Sequence, residues 1–543
     1  MKVSVSRAAT ASVALGVALA VTASGAASAA DRVGNPAGWT SVPAAGKAPG
    51  VAVPNRLSPQ LTERVAAQGS MALDGGTSEL PYYGYNGNGP LVPAPGTTVE
   101  ASKTEPDKNT YLVVPGQTGA DPSYRYGKRF LFQGHETGTR GYLTRINLDA
   151  DPAHRVTLMA STFADGSVLP TWDGSTWNPF AHRLLLTAEG GPLGGVSQAT
   201  LTYPSTVEPL TAAFGRAGYE GVQNDKDGNV WLADDTGGTT VPTSTRVPNS
   251  YIFRFVPADR TDLAKGGKLQ ALQVISDVTK TPITYGPVDA ANPTGKAFSQ
   301  DVKNLHTYGQ TSKTTWVTVH DTSVDTSGAA FNANLAARAA GATPFKRPEN
   351  GVFRPGSNFG EFYFTETGDT NAASTANTGF GGYGAVFKLT QPSPSANNGT
   401  LTMLYAGDKE HTGLDNITFL SNHQVAVVED AGDTLHTQRG TLDSAYVLDT
   451  RADYGTGLVP TRFIAEDRDP SATIDSGLAG TPGFQNEGDN EITGIHASDG
   501  DPTARGILGA EEPELFESGW RLFWTQQHGD NITWEITPSG RKS

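Results

Sequence analysis

The feature that most constrains this chain is a unit that recurs six times along its 543 residues: an apolar, strand-like run closing on an acidic or polar tip and a glycine, then a second strand. The runs begin at Arg129, His182, Asn229, Glu361, Gln424 and Arg521, and their partners at Gly141, Ala199, Ser250, Gly384, Ser444 and Asn531. Strand pairs repeated around a circle make blades, because a radial array protects sheet edges and leaves an axis on which equivalent strand ends converge. The acidic tips would then meet. Spacings of about 50 to 130 residues are too irregular for a WD40 or kelch array, and the longest interval leaves room for a further blade near 316–321. The expected fold is all-β, a six-bladed β-propeller with seven blades left open, behind an extended N-terminal segment.

Abundant glycine (64) and proline (35) suit the many turns that such a fold needs, and a propeller forms one large unit despite the chain length. A net charge of −15 argues against a nucleic-acid partner and is compatible with divalent cations, or simply with solubility. With 0 cysteines there are no disulfides, thiolate ligands or cysteine nucleophile, so anything bound is held by oxygen and imidazole.

Lys2 and Arg7, an apolar run from Ala8 to Val21 and small residues at Ala27 and Ala29 read as an export signal over 1–29, cleaved near Ala29 and Ala30. The signal has no Arg-Arg pair, which favours export of an unfolded chain. Residues 30–126 are rich in Pro, Gly, Ala and Ser and read as a wrapping segment or linker with a short helix at 59–71; 127–543 form the propeller, with a second helix at 332–340. No later stretch approaches the ~20 apolar residues of a membrane span. The expectation is a soluble secreted monomer.

Within the repeats, Asp225, Asp227 and Gly228 mark an ordinary Asp-Gly hairpin, since the rest of a calcium-loop spacing and its terminal glutamate are missing. Gly-x-Ser-x-Gly, His-Glu-x-x-His, P-loop and dinucleotide fingerprints do not occur in the contexts they require.

A set of short motifs carries more. Gly134-His135-Glu136 resembles the Asn-His-Glu element of the PhoX-type alkaline phosphatases, and Thr187-Ala188-Glu189 lies where that family has Thr-Cys-Glu. Glu220 after Gly215-Arg216, the run from Tyr251 to Pro257 through Arg254, Arg347-Pro348-Glu349, Asp415-Asn416, Glu491 with Gly494, and Gln527-His528-Gly529 follow in the family's order. The resemblance spans roughly 127 to 536. It implies a six-bladed propeller whose axis holds calcium ions and an iron pair, and which hydrolyses phosphomonoesters.

Carried over on that resemblance, Glu136, Glu189, Glu220, Glu349 and Glu491 are candidate metal carboxylates and Arg347 is the candidate phosphate clamp. The chemistry suits those roles. Hard Ca²⁺ takes six to eight oxygen ligands, and clustered glutamates need a cation to coexist. Arginine offers a planar fork for two phosphate oxygens. His135 and His528 read as supporting or core histidines, and Asp234, Glu366 and Glu429 as turn caps outside the site. Ala188 replaces the cysteine that ligates iron in the family, which argues for Ca²⁺ and against iron. The leading reading is a secreted, calcium-dependent hydrolase of small phosphate monoesters. A metal-dependent lactonase-type hydrolase on the same scaffold would need the carboxylates but not Arg347, and a non-catalytic, calcium-stabilised binding propeller would need neither turnover nor clamp.

Overall fold

The computed structural model describes residues 38–46, 54–84, 104–136, 140–190, 194–466, 491–527 and 531–540. The export signal at 1–29 and His528 lie outside them.

Antiparallel sheets account for nearly all the regular structure. The first contains, in order, Pro106–Val113, Arg129–His135, Leu143–Asn147 and Val156–Ala160; the second Ser175–Asn178, Arg183–Ala188, Gly195–Ala199 and Val207–Pro209. A nine-stranded sheet follows. One flank holds Tyr219–Asn224, Val230–Asp234, Ile252–Pro257 and Gly267–Val274, and the other Gly351–Phe353, Glu361–Glu366, Ala385–Thr390 and Asn398–Ala406. Thr311–Asp321, the stretch where a further blade was open, pairs with Gly267–Val274 on one side and Asn398–Ala406 on the other, so it stitches the flanks together instead of opening a sheet.

Leu414–Phe419, Gln424–Glu429, Ser444–Asp449 and Thr461–Ala465 form the next sheet, edged by Arg56–Leu57. Glu491–Ser498, Arg521–Gln527 and Thr533–Pro538 form the last, edged by Leu61–Ala67. The first strands of successive sheets and flanks touch one another in turn, and Glu491–Ser498 returns to Pro106–Val113. The arrangement is propeller-like and closed.

Burial explains the sequence pattern. Leu184 and Leu186 pack with Phe130 and Phe132 of the first sheet, whereas Leu185 points the other way into a core with Val222 of the third. A strand covered on both faces reads as an unbroken apolar run, and this is why these strands lack alternation. Truncating such a leucine to alanine costs about 2–5 kcal/mol.

The expected helix at 59–71 is corrected: Leu61–Ala67 is a strand paired with Thr533–Pro538 near the other end of the chain. An open sheet edge offers this segment backbone partners and buries Leu61, Ala66 and Ala67, and that tertiary gain overrides local propensity. With Arg56–Leu57 and Pro106–Val113 also in sheets, the described stretches 54–84 and 104–126 contribute strands to the fold. The expected helix at 332–340 is present as Ala333–Ala339, capped by Asn332, whose side chain accepts from Leu335 N at 2.7 Å.

Candidate functional site

Acidic side chains gather at one end of the axis from two kinds of position. Asp107, Asp173, Glu220, Glu349, Asp415 and Glu491 stand at or just before the heads of the six first strands. Glu136, Glu189, Asp235, Thr367 and Asp430 each follow the final residue of a second strand, and Gln527 ends the last one. Neighbouring strands run antiparallel, so heads of the first and tails of the second share one face of the molecule.

The backbone aims the first set by breaking the ladder. Register shifts interrupt pairing between Pro106 and Asn109, Tyr219 and Val222, Leu414 and Ile417, and Ile492 and Gly494. The first three leave Asp107, Glu220 and Asp415 out of register, and a bulge of this kind re-aims a side chain. A clasp recurs beside them. Thr187 Oγ1 donates to the Glu220 carbonyl, Thr365 Oγ1 to the Asp415 carbonyl and Thr525 Oγ1 to the Asp107 carbonyl at 3.2 Å, each threonine reaching across to the neighbouring set of strands.

Two groups of oxygens result. Glu189, Glu220, Asp235 and Glu349 each place one carboxylate oxygen within 4.8 Å of the others, and so do Asp107, Glu136 and Asp173. Four of the five glutamates expected from the sequence are thus brought together, three in one group and Glu136 in the other. Glu491 lies outside both, at the head of Glu491–Ser498 and in register with Gln527. Asp107, Asp173 and Asp235 were missed. A groove of about 760 Å³ lined by Phe163, Val168, Glu208 and Arg216 contains none of these residues.

Polar neighbours order the groups without neutralising them. Gln527 Nε2 donates to Asp107 at 3.0 Å and to Glu136 at 2.9 Å. Asn350 Nδ2 donates to Glu220 at 3.0 Å and to Asp415 at 3.4 Å, and its oxygen accepts from the buried Lys108 ammonium at 3.2 Å. Burial, and then neighbouring carboxylates, pushes Asp107 and Glu136 up to about 8 and Glu349 up to about 7, with Asp173, Glu189 and Glu220 also well above the carboxylate range. Burial lowers Lys108 to about 8 against the pull of Asp415, Asp107, Glu220 and Asp173.

Metal ions fit this donor set. Asp173 Oδ1 and Glu189 Oε1 are buried without a hydrogen-bond partner, a costly state that a hard cation would relieve. All the donors are oxygen. Ala188 packs with Leu184 and Leu186 in the core between the first two sheets and offers no ligand atom.

Arg347 borders the larger group. Its backbone sits at φ 60°, and its Nε donates to both Asp235 oxygens at 3.0 and 2.9 Å. Its Nη2 lies 2.7 Å from Asp235 Oδ2 and 3.5 Å from Glu349 Oε1. Burial works against its charge, but Asp235 and Glu349 outweigh that and hold the guanidinium protonated. His135, buried and lowered to about 3 by burial, bonds Thr144 and stacks on Tyr142, a core role.

Fold and site together define a class: an all-β, propeller-like protein whose axis can hold metal ions. Over 92% of its length the chain superposes on 98% of Pseudomonas fluorescens PhoX in complex with vanadate, a transition state analogue, with a TM-score of 0.52 and 13% identity. A gluconolactonase from Xanthomonas campestris aligns with 92% of this chain and 98% of its own at a TM-score of 0.38 and 9% identity. None of the curated proteins matches. The model of the family described as alkaline phosphatase PhoX matches residues 202–497, more than half of the chain and including Glu220, Arg347, Glu349 and Glu491. The chain belongs to the PhoX alkaline phosphatase family.

Proposed function

We propose that this protein is an exported, calcium-dependent phosphatase-like hydrolase that acts on small phosphate monoesters at the axis of a six-bladed propeller. The two flanks of the nine-stranded sheet count as separate blades in this reading, joined by Thr311–Asp321. The export signal in the sequence supports a soluble product outside the cytoplasm, and monomer is the proposed state. Among the described residues no helix is long and apolar enough to cross a membrane.

The observation that carries the reading is the presence of two oxygen-donor groups with an arginine bordering the larger of them. Glu189, Glu220, Asp235 and Glu349 would hold one cation, and Asp107, Glu136 and Asp173 another. When bound, Ca²⁺ supplies charge that polarises the phosphoryl group and favours attack by water. Arg347 presents a flat fork able to take two phosphoryl oxygens and to stabilise the charge that develops on them. Lys108 adds an ammonium bonded to Asn350, its charge favoured by Asp415, Asp107, Glu220 and Asp173 and opposed by burial. Gln527 and Asn350 hold carboxylates in place through the bonds given above, as orienting groups do at metal sites.

Removing the clamp separates this reading from a lactonase-type or purely binding role. Arg347→Ala is expected to lower kcat/KM for p-nitrophenyl phosphate by about 10²–10³ while leaving the number of bound calcium ions unchanged. Unchanged turnover in a folded, calcium-loaded variant would remove Arg347 from the reaction.

A further inference from the structure

Asp235 stands at the meeting of two demands. It is one of the four carboxylates whose oxygens lie within 4.8 Å of one another, and both of its oxygens are engaged by Arg347 at 2.9 and 3.0 Å from Nε, with Nη2 at 2.7 Å. Glu349, a second member of the group, is touched by the same guanidinium at 3.5 Å. A carboxylate has lone pairs to spare, but a guanidinium and a divalent cation on one small group repel each other.

The backbone around this pair is fixed, so any adjustment falls on side chains. Asp235 N donates to the Gly218 carbonyl at 2.6 Å, and the Arg347 carbonyl accepts from Thr367 N at 2.9 Å. Lys346, next to the arginine, donates its backbone N–H to Glu366 at 2.7 Å and buries its ammonium 3.1 Å from Asp369, both side chains at 0% exposure. The Arg347 side chain is 20% exposed against 7% for Asp235 and 5% for Glu349, so it is the most open of the three.

We propose that Asp235 is a positioning residue that couples metal to phosphate: a divalent cation entering the Glu189, Glu220, Asp235 and Glu349 group competes with Arg347 for Asp235, and the released guanidinium becomes free to take phosphoryl oxygens. The proposal rests on the phosphate-clamp reading of Arg347. Its consequence is reciprocal, because two ligands linked through one group change each other's affinity by the same factor. Without cation, Asp235 holds the clamp shut.

Two gains of binding test it, measured by titration calorimetry with calcium alone and inorganic phosphate alone. Arg347→Ala removes the competitor and should bind calcium about five-fold or more tighter than the wild type. Asp235→Asn loosens the clamp and, in the presence of chelator, should bind phosphate about five-fold or more tighter than the metal-free wild type. Misfolding cannot produce either gain, and Arg347→Gln, which keeps more of the side-chain volume, stands in should the alanine variant melt. The proposal stands if both gains appear and falls if calcium affinity is unchanged or weaker without Arg347, or if phosphate affinity is unchanged or weaker in Asp235→Asn. A protein showing both gains yet hydrolysing no phosphomonoester would overturn the proposed function and keep the coupling; turnover with neither gain would do the reverse.

Discussion

Adjacent residues at the same strand ends meet opposite fates. Asp234, Glu366 and Glu429 are the last residues of their strands and are buried, yet each is answered by neighbours. Asp234 accepts from Asn334 Nδ2 at 2.8 Å and Gly218 N at 3.1 Å, and Glu366 bonds His306 Nε2 at 2.8 Å. Glu429 pairs with Arg439 at 3.0 Å, both side chains at 1% exposure or less. Just past the final residues of their own strands, Glu189, Asp235 and Asp430 lie toward the axis, where burial and then neighbouring carboxylates raise the pKa of Glu189, Asp107 and Asp415. A one-residue step in a strand reverses the side a residue faces, so burial is shared while the neighbours differ: side chains of the surrounding fold for the first set, other axis carboxylates and, for Asp235, Arg347 for the second. The first set is bonded within the fold, whereas Glu189 and Asp235 of the second belong to a group that could hold a metal ion.

That contrast is sharpest where a partner is removed. Arg439→Met leaves Glu429 and Asp443 buried without their cation and is expected to destabilise the fold by about 3–5 kcal/mol in denaturant titration, with calcium content unchanged. Glu220→Gln should act the other way. It relieves repulsion in the metal-free protein, so its chelated form should unfold at the same or higher denaturant than the wild type, while turnover falls by about a hundredfold. A Glu220→Gln protein destabilised like Arg439→Met would erase the distinction between the two sets.

The pH dependence gives a smaller effect with a defined sign. The raised carboxyls of Asp107, Glu136 and Glu349 favour the folded state while protonated, a contribution complete at acidic pH and lost as pH rises through about 7 to 8. Calcium binds the deprotonated groups and offsets that loss. The rise in melting temperature on adding calcium should therefore be larger at pH 9 than at pH 6, and an equal or smaller rise at pH 9 would contradict the assignment. Smallest of all, Thr525→Val removes the 3.2 Å clasp on the Asp107 carbonyl and should cost about 1 kcal/mol of stability, with about tenfold weaker calcium binding.

Repetition made much of this legible in the sequence. Every run singled out there is a second strand, from Arg129–His135 to Arg521–Gln527, and the glutamates following two of them, Glu136 and Glu189, lie at the axis. Asp234, Glu366 and Glu429, read in the sequence as turn caps, are buried last residues of their strands. Asp235 was missed because two consecutive acids close its strand, and only superposing the repeats on their final strand residues shows that the second of them matches Glu189. Asp107 was hidden by context: it follows Pro106 in a segment read as a linker, although the run from Asn109 to Val113 has strand character. Asp173 precedes Gly174 in what reads as a turn, and its place at the axis depends on the closing of the ring. The strand at Leu61–Ala67 was beyond local reading altogether, since its partner lies more than 450 residues away.

Metal analysis of the purified protein, joined to a phosphomonoester assay with calcium and with chelator, tests the central claim most directly. The account predicts bound calcium without stoichiometric iron and turnover that chelation abolishes and calcium restores. Calcium-loaded, folded protein with no turnover, or turnover indifferent to chelator, would contradict it.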